Sequence, residues 1–183
     1  EGEAMDLAHG LSCAPSRIDI KAGDYNECKD ADIVVITAGL AQKPGQTRLE
    51  LAKTNAGIMK QVTQSVVESG FKGIFVIATN PVDLMTYVVQ KVSNFPKEKV
   101  IGSGTVLDTS RLRYLIGDRL KISPKNVHAY IMGEHGDSSF VAWSHSYIGC
   151  KPLIDILKER GKSEKILDEI YTEVQQAAYE IIN

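Results

Sequence analysis

Cysteine is scarce in this sequence, and its placement argues against two common kinds of site. The three cysteines, Cys13, Cys28 and Cys150, stand far apart, and no CxxC pair occurs. An odd and dispersed set favours neither a disulfide framework nor a cysteine-ligated zinc site. The four histidines show no metal-ligand spacing either, so we expect no metal. This cysteine usage is typical of a reducing, cytoplasmic setting.

Long apolar runs and an excess of one charge are also lacking. No stretch approaches a membrane span, and no signal peptide is visible. A formal net charge of −2 gives no indication of a nucleic-acid or membrane partner. The 183 residues, 43% hydrophobic and 24% charged, suffice for one good core or slightly more. Both termini fall inside helical patterns, so we expect the chain to be part of a longer one.

The first hundred residues alternate short apolar runs with helical spacing. Runs at 31–37 and 73–78 have the character of strands that are buried on both faces, as in parallel sheets. Helices are predicted at 47–69 and 82–92, and short strands at 17–21 and 99–101. This alternation predicts an α/β fold with a doubly wound parallel sheet.

The pattern changes after Gly104, so we place a domain boundary near Ser103. Helices are expected at 106–120 and 164–182, and strand-like segments at 126–132 and 140–143.

Small and polar residues follow three of the predicted strands, those at 31–37, 73–78 and 99–101; these residues are Gly39, Asn80 and Ser103. Ligands of doubly wound sheets collect beyond these carboxyl ends. Asn80 is therefore either a capping residue or an amide that faces a bound ligand.

His135 stands between two glycines in the segment MGEHGDSS. Glycine lets the backbone turn sharply and approach a ligand, and an imidazole suits proton transfer near neutral pH. An ordinary loop histidine is the alternative interpretation.

Asp108 and Arg111 share a helix face, because they lie three residues apart. They form either a surface ion pair that contributes little to stability or a pair with a role in the site. In the second case, Asp108 would hold the imidazolium of His135, and Arg111 would bind a carboxylate in bidentate fashion. Arg48 follows a Pro-Gly loop that would close over a site; a solvated charge there would lie unfavourably at the positive end of a helix.

Four motifs, in this order, resemble the L-lactate/malate dehydrogenase family: AGLAQKPGQTR, IATNPVD, IGSGTVLDTSRLR and MGEHGDSS. Within it, they are most similar to the bacterial L-lactate dehydrogenases that fructose 1,6-bisphosphate regulates. The resemblance covers essentially the whole chain. It implies a Rossmann-like sheet without its first βαβ unit, a dinucleotide-binding domain at 1–103 and part of an α+β substrate domain at 104–183. The family's pyrophosphate loop would precede Glu1, and its chain would continue past Asn183.

The same resemblance implies NAD as cofactor and reversible hydride transfer between NADH and pyruvate, as in glycolysis and fermentation. His135 would donate and accept the proton, Asp108 would orient it, and Arg48 would polarise the carbonyl. Substrate-binding positions are implied at Gln42, Arg48, Asn80 and Arg111. Cofactor-binding positions are implied at Tyr25, Gly39, Ala78, Asn80 and Ser103.

Gln42 bears on the choice of substrate. Malate dehydrogenases of this family carry arginine there, to pair with a second carboxylate. A neutral glutamine would leave that carboxylate unpaired in a desolvated pocket, so pyruvate is favoured over oxaloacetate. The alternatives are a malate or other 2-hydroxyacid dehydrogenase, and a non-catalytic protein that retains the fold. The intact set of His135, Asp108, Arg48 and Arg111 argues against the last.

Arg113 and His128 match the family's pair for fructose 1,6-bisphosphate, and two cations suit a sugar phosphate. From the pattern alone, His128 is rather a core or rim histidine, while Arg113 points away from Arg111. The resemblance implies an effector site at a subunit interface and a homotetramer.

Overall fold

The computed structural model describes residues 1–40 and 48–182. They form two compact units, each made of two chain segments. The first unit comprises Glu1–Val76 and Thr86–Ile101, and the second comprises Ile77–Met85 and Gly102–Asn183. Gln42 and the predicted Pro44-Gly45 turn lie outside the described residues.

A three-stranded parallel sheet organises the first part of the chain, in the order β1, β2, β3. Helix α1 (Gly2–His9) precedes it, α2 (Arg48–Glu68) connects β1 to β2, and α3 (Val82–Ser93) connects β2 to β3. The strands are β1 (Ile33–Ile36), β2 (Ile74–Ile77) and β3 (Val100–Gly102). This alternation confirms the predicted α/β class with a parallel sheet.

Aromatic packing anchors the sheet of the first unit. The ring centroids of Phe71, Phe75 and Phe95 lie 4.9 to 5.9 Å apart, and Phe71 meets Phe75 edge to face. Such pairs stabilise a core beyond the area that they bury. Phe75 is fully buried, so this cluster fixes β2 against the segment that follows α3.

Two expectations for this part are wrong. Residues 17–21 are not a strand; they are largely exposed and pair with no described strand, and unpaired backbone groups do not hold a strand in place. The first strand is not buried on both faces, because Ile33 and Val35 are 55% and 59% exposed whereas Ile36 is buried. Successive strand residues face opposite sides, so the described residues cover only one face of β1.

The second unit combines helices with short antiparallel strand pairs. Helix α4 (Val106–Leu120) has its predicted bounds and packs against α6 (Lys165–Ile182). The segment predicted as one strand at 126–132 is instead two strands in different sheets. The strands are β4 (Val127–His128), β5 (Ile131–Met132), β6 (Phe140–Val141), β7 (Tyr147–Ile148) and β8 (Lys151–Pro152). β4, β7 and β8 form one sheet, β5 and β6 form another, and α5 (Leu153–Glu159) follows.

The core of this unit lies along one face of α4. Leu112, Ile116 and Leu120 recur every four residues and are at most 3% exposed. They pack with Val127 and Ile131 from the strands and with apolar residues of α6. Asp108 lies four residues before Leu112 on the same helix, and Arg111 directly precedes Leu112, so the core fixes the helix that carries both.

Candidate active site

Helix α4 carries two of the predicted catalytic residues, Asp108 and Arg111. Nη1 of Arg111 lies 3.4 Å from Oδ1 of Asp108, and their side chains are 21% and 14% exposed. A half-buried pair is screened less by solvent than a surface pair. Arginine has five N–H donors, so a contact with one carboxylate oxygen leaves donors for a second anion.

The other oxygen of Asp108 contacts the histidine ring. His135 lies in the segment 133–139, which follows β5 and is here called the His135 loop. Nδ1 of His135 lies 2.6 Å from Oδ2 of Asp108. An ionised carboxylate can only accept, so Nδ1 donates and Nε2 is the ring nitrogen that this contact leaves available. Gly133 has φ +93°, a backbone conformation that side chains with a Cβ rarely adopt. Asp108 thus joins His135 to Arg111.

Two threonines, the N-cap residue of α4 and a residue of its first turn, hold the strand that leads into the His135 loop. Thr105 Oγ1 donates to the carbonyl of Ile131 at 2.6 Å, and the N–H of Ile131 donates to Thr109 Oγ1 at 3.0 Å. We call Thr105 and Thr109 the threonine pair. They stand three residues before and one after Asp108, so the helix that carries Asp108 also fixes the approach of His135.

The end of the His135 loop is tied to helix α6. The hydroxyl of Tyr171 donates to the carbonyl of Ser139 and lies 3.1 Å from that residue's Oγ. Within the loop, Ser138 Oγ donates to the carboxylate of Glu134 at 3.0 Å. Sequence patterns do not indicate the Tyr171 contact, because it spans 32 residues and Tyr171 reads only as part of an amphipathic helix.

Asp83 is a further residue that sequence reasoning missed. Its Oδ2 accepts from the backbone N–H of His135 at 3.0 Å. Its place in the motif IATNPVD, three residues after Asn80, was the available signal, but there it reads as an ordinary acidic residue in the first turn of α3.

The positions implied for the cofactor follow strands of the sheet. In the second unit, Ala78 and Asn80 are exposed after β2, and Ser103 is half-buried after β3. The N–H of Ser103 donates to the carbonyl of Ile77 at 2.8 Å, which aligns the two strand ends. In the first unit, Gly39 is exposed after β1, and Tyr25, the first residue of a 3₁₀ turn, is 47% exposed.

Two predicted substrate positions are not placed by the described structure. Gln42 lies outside the described residues, and Arg48 is described only as the first residue of α2, without its side chain. Leu40, just before this gap, is held by Asn55 of α2. The N–H of Leu40 donates to Oδ1 at 2.9 Å, and Nδ2 donates to its carbonyl at 3.3 Å.

Arg113 and His128, the predicted effector pair, occupy neighbouring elements. Nε of Arg113 donates to the carbonyl of Ala129 at 3.2 Å, and its guanidinium lies 4.7 Å from the ring centroid of Tyr130. His128 is exposed on β4, opposite Tyr147 of β7. The structure therefore brings Arg113 to the two residues that follow His128. His128 is exposed, so it is not a core histidine.

Two kinds of feature are absent from residues 1–40 and 48–182. No group of three or more histidine, cysteine, aspartate or glutamate side chains suited to holding a metal ion occurs there. None of the helices in those ranges has the length and apolar character needed to cross a membrane.

Comparison with known proteins agrees with this geometry. Residues 1–102 match the model of the lactate/malate dehydrogenase NAD binding domain, and residues 105–183 match that of the family's alpha/beta C-terminal domain. The chain is 55% identical to L-lactate dehydrogenase 2 of Bacillus cereus and 57% identical to L-lactate dehydrogenase of Borrelia turicatae. Each alignment covers 100% of this chain and 58% of the relative.

Solved structures give the same result. A lactate dehydrogenase from a Medee basin deep-sea metagenome library superposes with a TM-score of 0.94 at 54% identity. Malate dehydrogenase of Plasmodium falciparum superposes with a TM-score of 0.88 at 37% identity. These alignments cover 100% and 99% of this chain and 58% of each structure. The chain belongs to the lactate/malate dehydrogenase family.

Proposed function

We propose that the complete protein containing this chain is an NAD-dependent L-lactate dehydrogenase that interconverts pyruvate and L-lactate. The observation that carries the proposal is the arrangement around Asp108, whose two oxygens contact the ring of His135 and the guanidinium of Arg111. The lactate dehydrogenases among the relatives support the choice of reaction. Residues 1–103 would form the dinucleotide-binding part and residues 104–183 the substrate part.

The residues of the second unit fit the nicotinamide end of NAD. Ala78 and Asn80 are exposed at the carboxyl end of β2 and offer a small side chain and an uncharged amide. Ser103 lies at the adjacent strand end, where ligands of such sheets bind. Tyr25 and Gly39 are the corresponding proposals in the first unit. NAD, when bound, supplies the hydride acceptor for C2 of lactate.

The chain's own side chains would handle the proton and the charges. Nε2 of His135 takes the hydroxyl proton of lactate, and Asp108 stabilises the imidazolium that results. Arg111 binds the substrate carboxylate through its remaining donors. Arg48 polarises the C2 oxygen, and Asn80 contacts the substrate from the strand end.

Gln42 would select pyruvate over oxaloacetate, because it offers no positive charge to a second carboxylate. The test is NADH oxidation by the complete protein with each substrate, beside the Gln42→Arg variant. We expect a preference for pyruvate in the parent protein and a shift towards oxaloacetate in the variant. A parent preference for oxaloacetate would refute the role of Gln42 and favour a malate dehydrogenase. Confirmed NADH binding without turnover of either would favour a non-catalytic protein.

We further propose that fructose 1,6-bisphosphate activates the enzyme through Arg113 and His128. Support comes from the position of Arg113 beside Ala129, the residue after His128, and from the exposure of that histidine. The double variant Arg113→Gln/His128→Ala should lose activation, whereas His145→Ala, which alters another exposed histidine, should keep it. Equal activation of the double variant and the parent would contradict the proposal.

Two proposals concern assembly and location. We expect a homotetramer in the cytoplasm, as the family resemblance and the cysteine usage indicate. Gel filtration with light scattering would show four copies, and a monomer at working concentration would contradict the first. Fractionation of the source cells would test the second.

A further inference from the structure

Asp83 links two parts of the proposed site. It is the second residue of α3, and Asn80 lies three residues earlier, on the turn after β2. A carboxylate in a first turn favours the helix through the dipole alone, and solvent would then satisfy its oxygens. Here Oδ2 accepts instead from the backbone N–H of His135, 3.0 Å away and 52 residues further along the chain. The contact gives this acidic residue a specific partner.

The His135 loop needs such an anchor. Glycines on both sides of Glu134-His135 leave the backbone wide conformational freedom, and ordering it costs free energy. Asp108 holds the ring at Nδ1 but contacts no backbone group of the loop in the described hydrogen bonds. Asp83 holds the backbone of the same residue. Ring and backbone are thus fixed by carboxylates on two different helices, α4 and α3.

We propose that Asp83 is a positioning residue, which sets the backbone of His135 relative to the turn that carries Asn80. Asp83, Asn80 and His135 all belong to the second unit. The inference rests on the proposed dehydrogenase function, in which both His135 and Asn80 contact substrate. Proton transfer and hydride transfer occur at the same substrate carbon and oxygen, so the side chains of His135 and Asn80 need fixed relative positions. Small displacements of reacting groups lower the rate by large factors.

The test compares Asp83→Ala and Asp83→Asn in the complete protein. Alanine removes the acceptor, so we expect kcat for pyruvate to fall by about tenfold to a hundredfold, with the Kd for NADH changed less than about twofold. Asparagine keeps an oxygen that accepts from the N–H of His135, and it should retain kcat to within about threefold.

Asp155→Ala is the matched control. Asp155 is also an exposed acid in a first turn, that of α5, and the described residues include no side-chain partner for it. Its replacement loses the same helix-dipole contribution, so kcat should stay within about twofold of the parent. Equal loss in Asp83→Ala and Asp155→Ala would overturn the proposal. So would equal loss in the alanine and asparagine variants at position 83, since charge rather than the hydrogen bond would then matter.

Amide hydrogen exchange of the His135 loop provides a readout that is independent of turnover. The amide of His135 should be protected in the parent and in Asp83→Asn, and exchange faster in Asp83→Ala. Faster exchange with unchanged kcat would overturn the positioning role. A parent protein that turns over neither pyruvate nor oxaloacetate would refute the proposed function. Equal amide exchange at His135 in all three proteins would refute the anchoring role of Asp83, whatever the turnover.

Discussion

Asp108→Asn is the substitution that most directly tests the proposed chemistry. Asparagine has nearly the same shape, and its single side-chain oxygen can replace Oδ2, which lies 2.6 Å from Nδ1 of His135, as the acceptor of that bond. Its NH2 group then replaces the oxygen that contacts Arg111. The negative charge is lost, and with it the group that stabilises the imidazolium. Because the side chain of Asp108 is only 14% exposed, water replaces little of this stabilisation.

The magnitude follows from the strength of a charged hydrogen bond. Such a bond contributes about 1.5–3 kcal/mol. Since about 1.4 kcal/mol corresponds to a factor of ten in rate, kcat/KM should fall by roughly tenfold to 150-fold. The two directions share one transition state, so pyruvate reduction and lactate oxidation should lose the same factor if cofactor affinity is unchanged.

The assay is steady-state NADH absorbance in both directions, with NADH affinity measured separately by fluorescence. Asp118→Asn is the control, because Asp118 lies on the same helix in an exposed ion pair with Lys121. Such a pair contributes about 0–1 kcal/mol to stability, and its loss should leave kcat/KM within about twofold. The reasoning would be refuted if Asp108→Asn kept full activity with normal NADH binding.

Three further substitutions test other parts of the structure. Arg111→Lys replaces a planar fork by a point charge, so KM for pyruvate should rise by roughly tenfold or more in steady-state assays; an unchanged KM would argue against carboxylate binding there. Leu112→Ala removes a fully buried side chain and should lower the free energy of unfolding by about 2–5 kcal/mol in urea titrations, whereas a loss below about 1 kcal/mol would show a collapsible core. Tyr171→Phe removes the hydroxyl that meets Ser139 and should cost about 1 kcal/mol in the same titrations; a neutral result would indicate that water replaces the contact.

Local periodicity was sufficient for the long elements. The predicted bounds of α4, 106–120, coincide with those observed, because its apolar residues recur at helical spacing and Thr105 and Lys121 flank a continuous run. Short elements were less accessible. The two-residue strands β7 and β8 depend on antiparallel pairing across Gly149-Cys150, and α5 has only seven residues. Elements this short give no strong periodic signal in the sequence.

The candidate site divides in a similar way. The contacts of Asp108 with His135 and Arg111 agree with the hypothesis that their residue types and spacing suggest, while their catalytic roles stay predictions. The contacts of Asp83 and Tyr171 were not predictable, because they span 52 and 32 residues. The burial of β1 was mispredicted for a related reason. An apolar strand face looks buried in sequence, yet its exposure depends on what else packs there, and for Ile33 and Val35 the described residues supply no cover.

The threonine pair limits how this part of the sequence can vary over evolution. Both backbone groups of Ile131 bond to hydroxyls of the threonine pair, so the side chain at 131 can be exchanged for another apolar one without loss of either bond. Serine at positions 105 or 109 would also keep a hydroxyl. Valine has the shape of threonine but would leave the N–H or carbonyl of Ile131 without its partner. At positions 105 and 109 we therefore expect related sequences to accept serine and not valine, although valine is closer to threonine in side-chain volume.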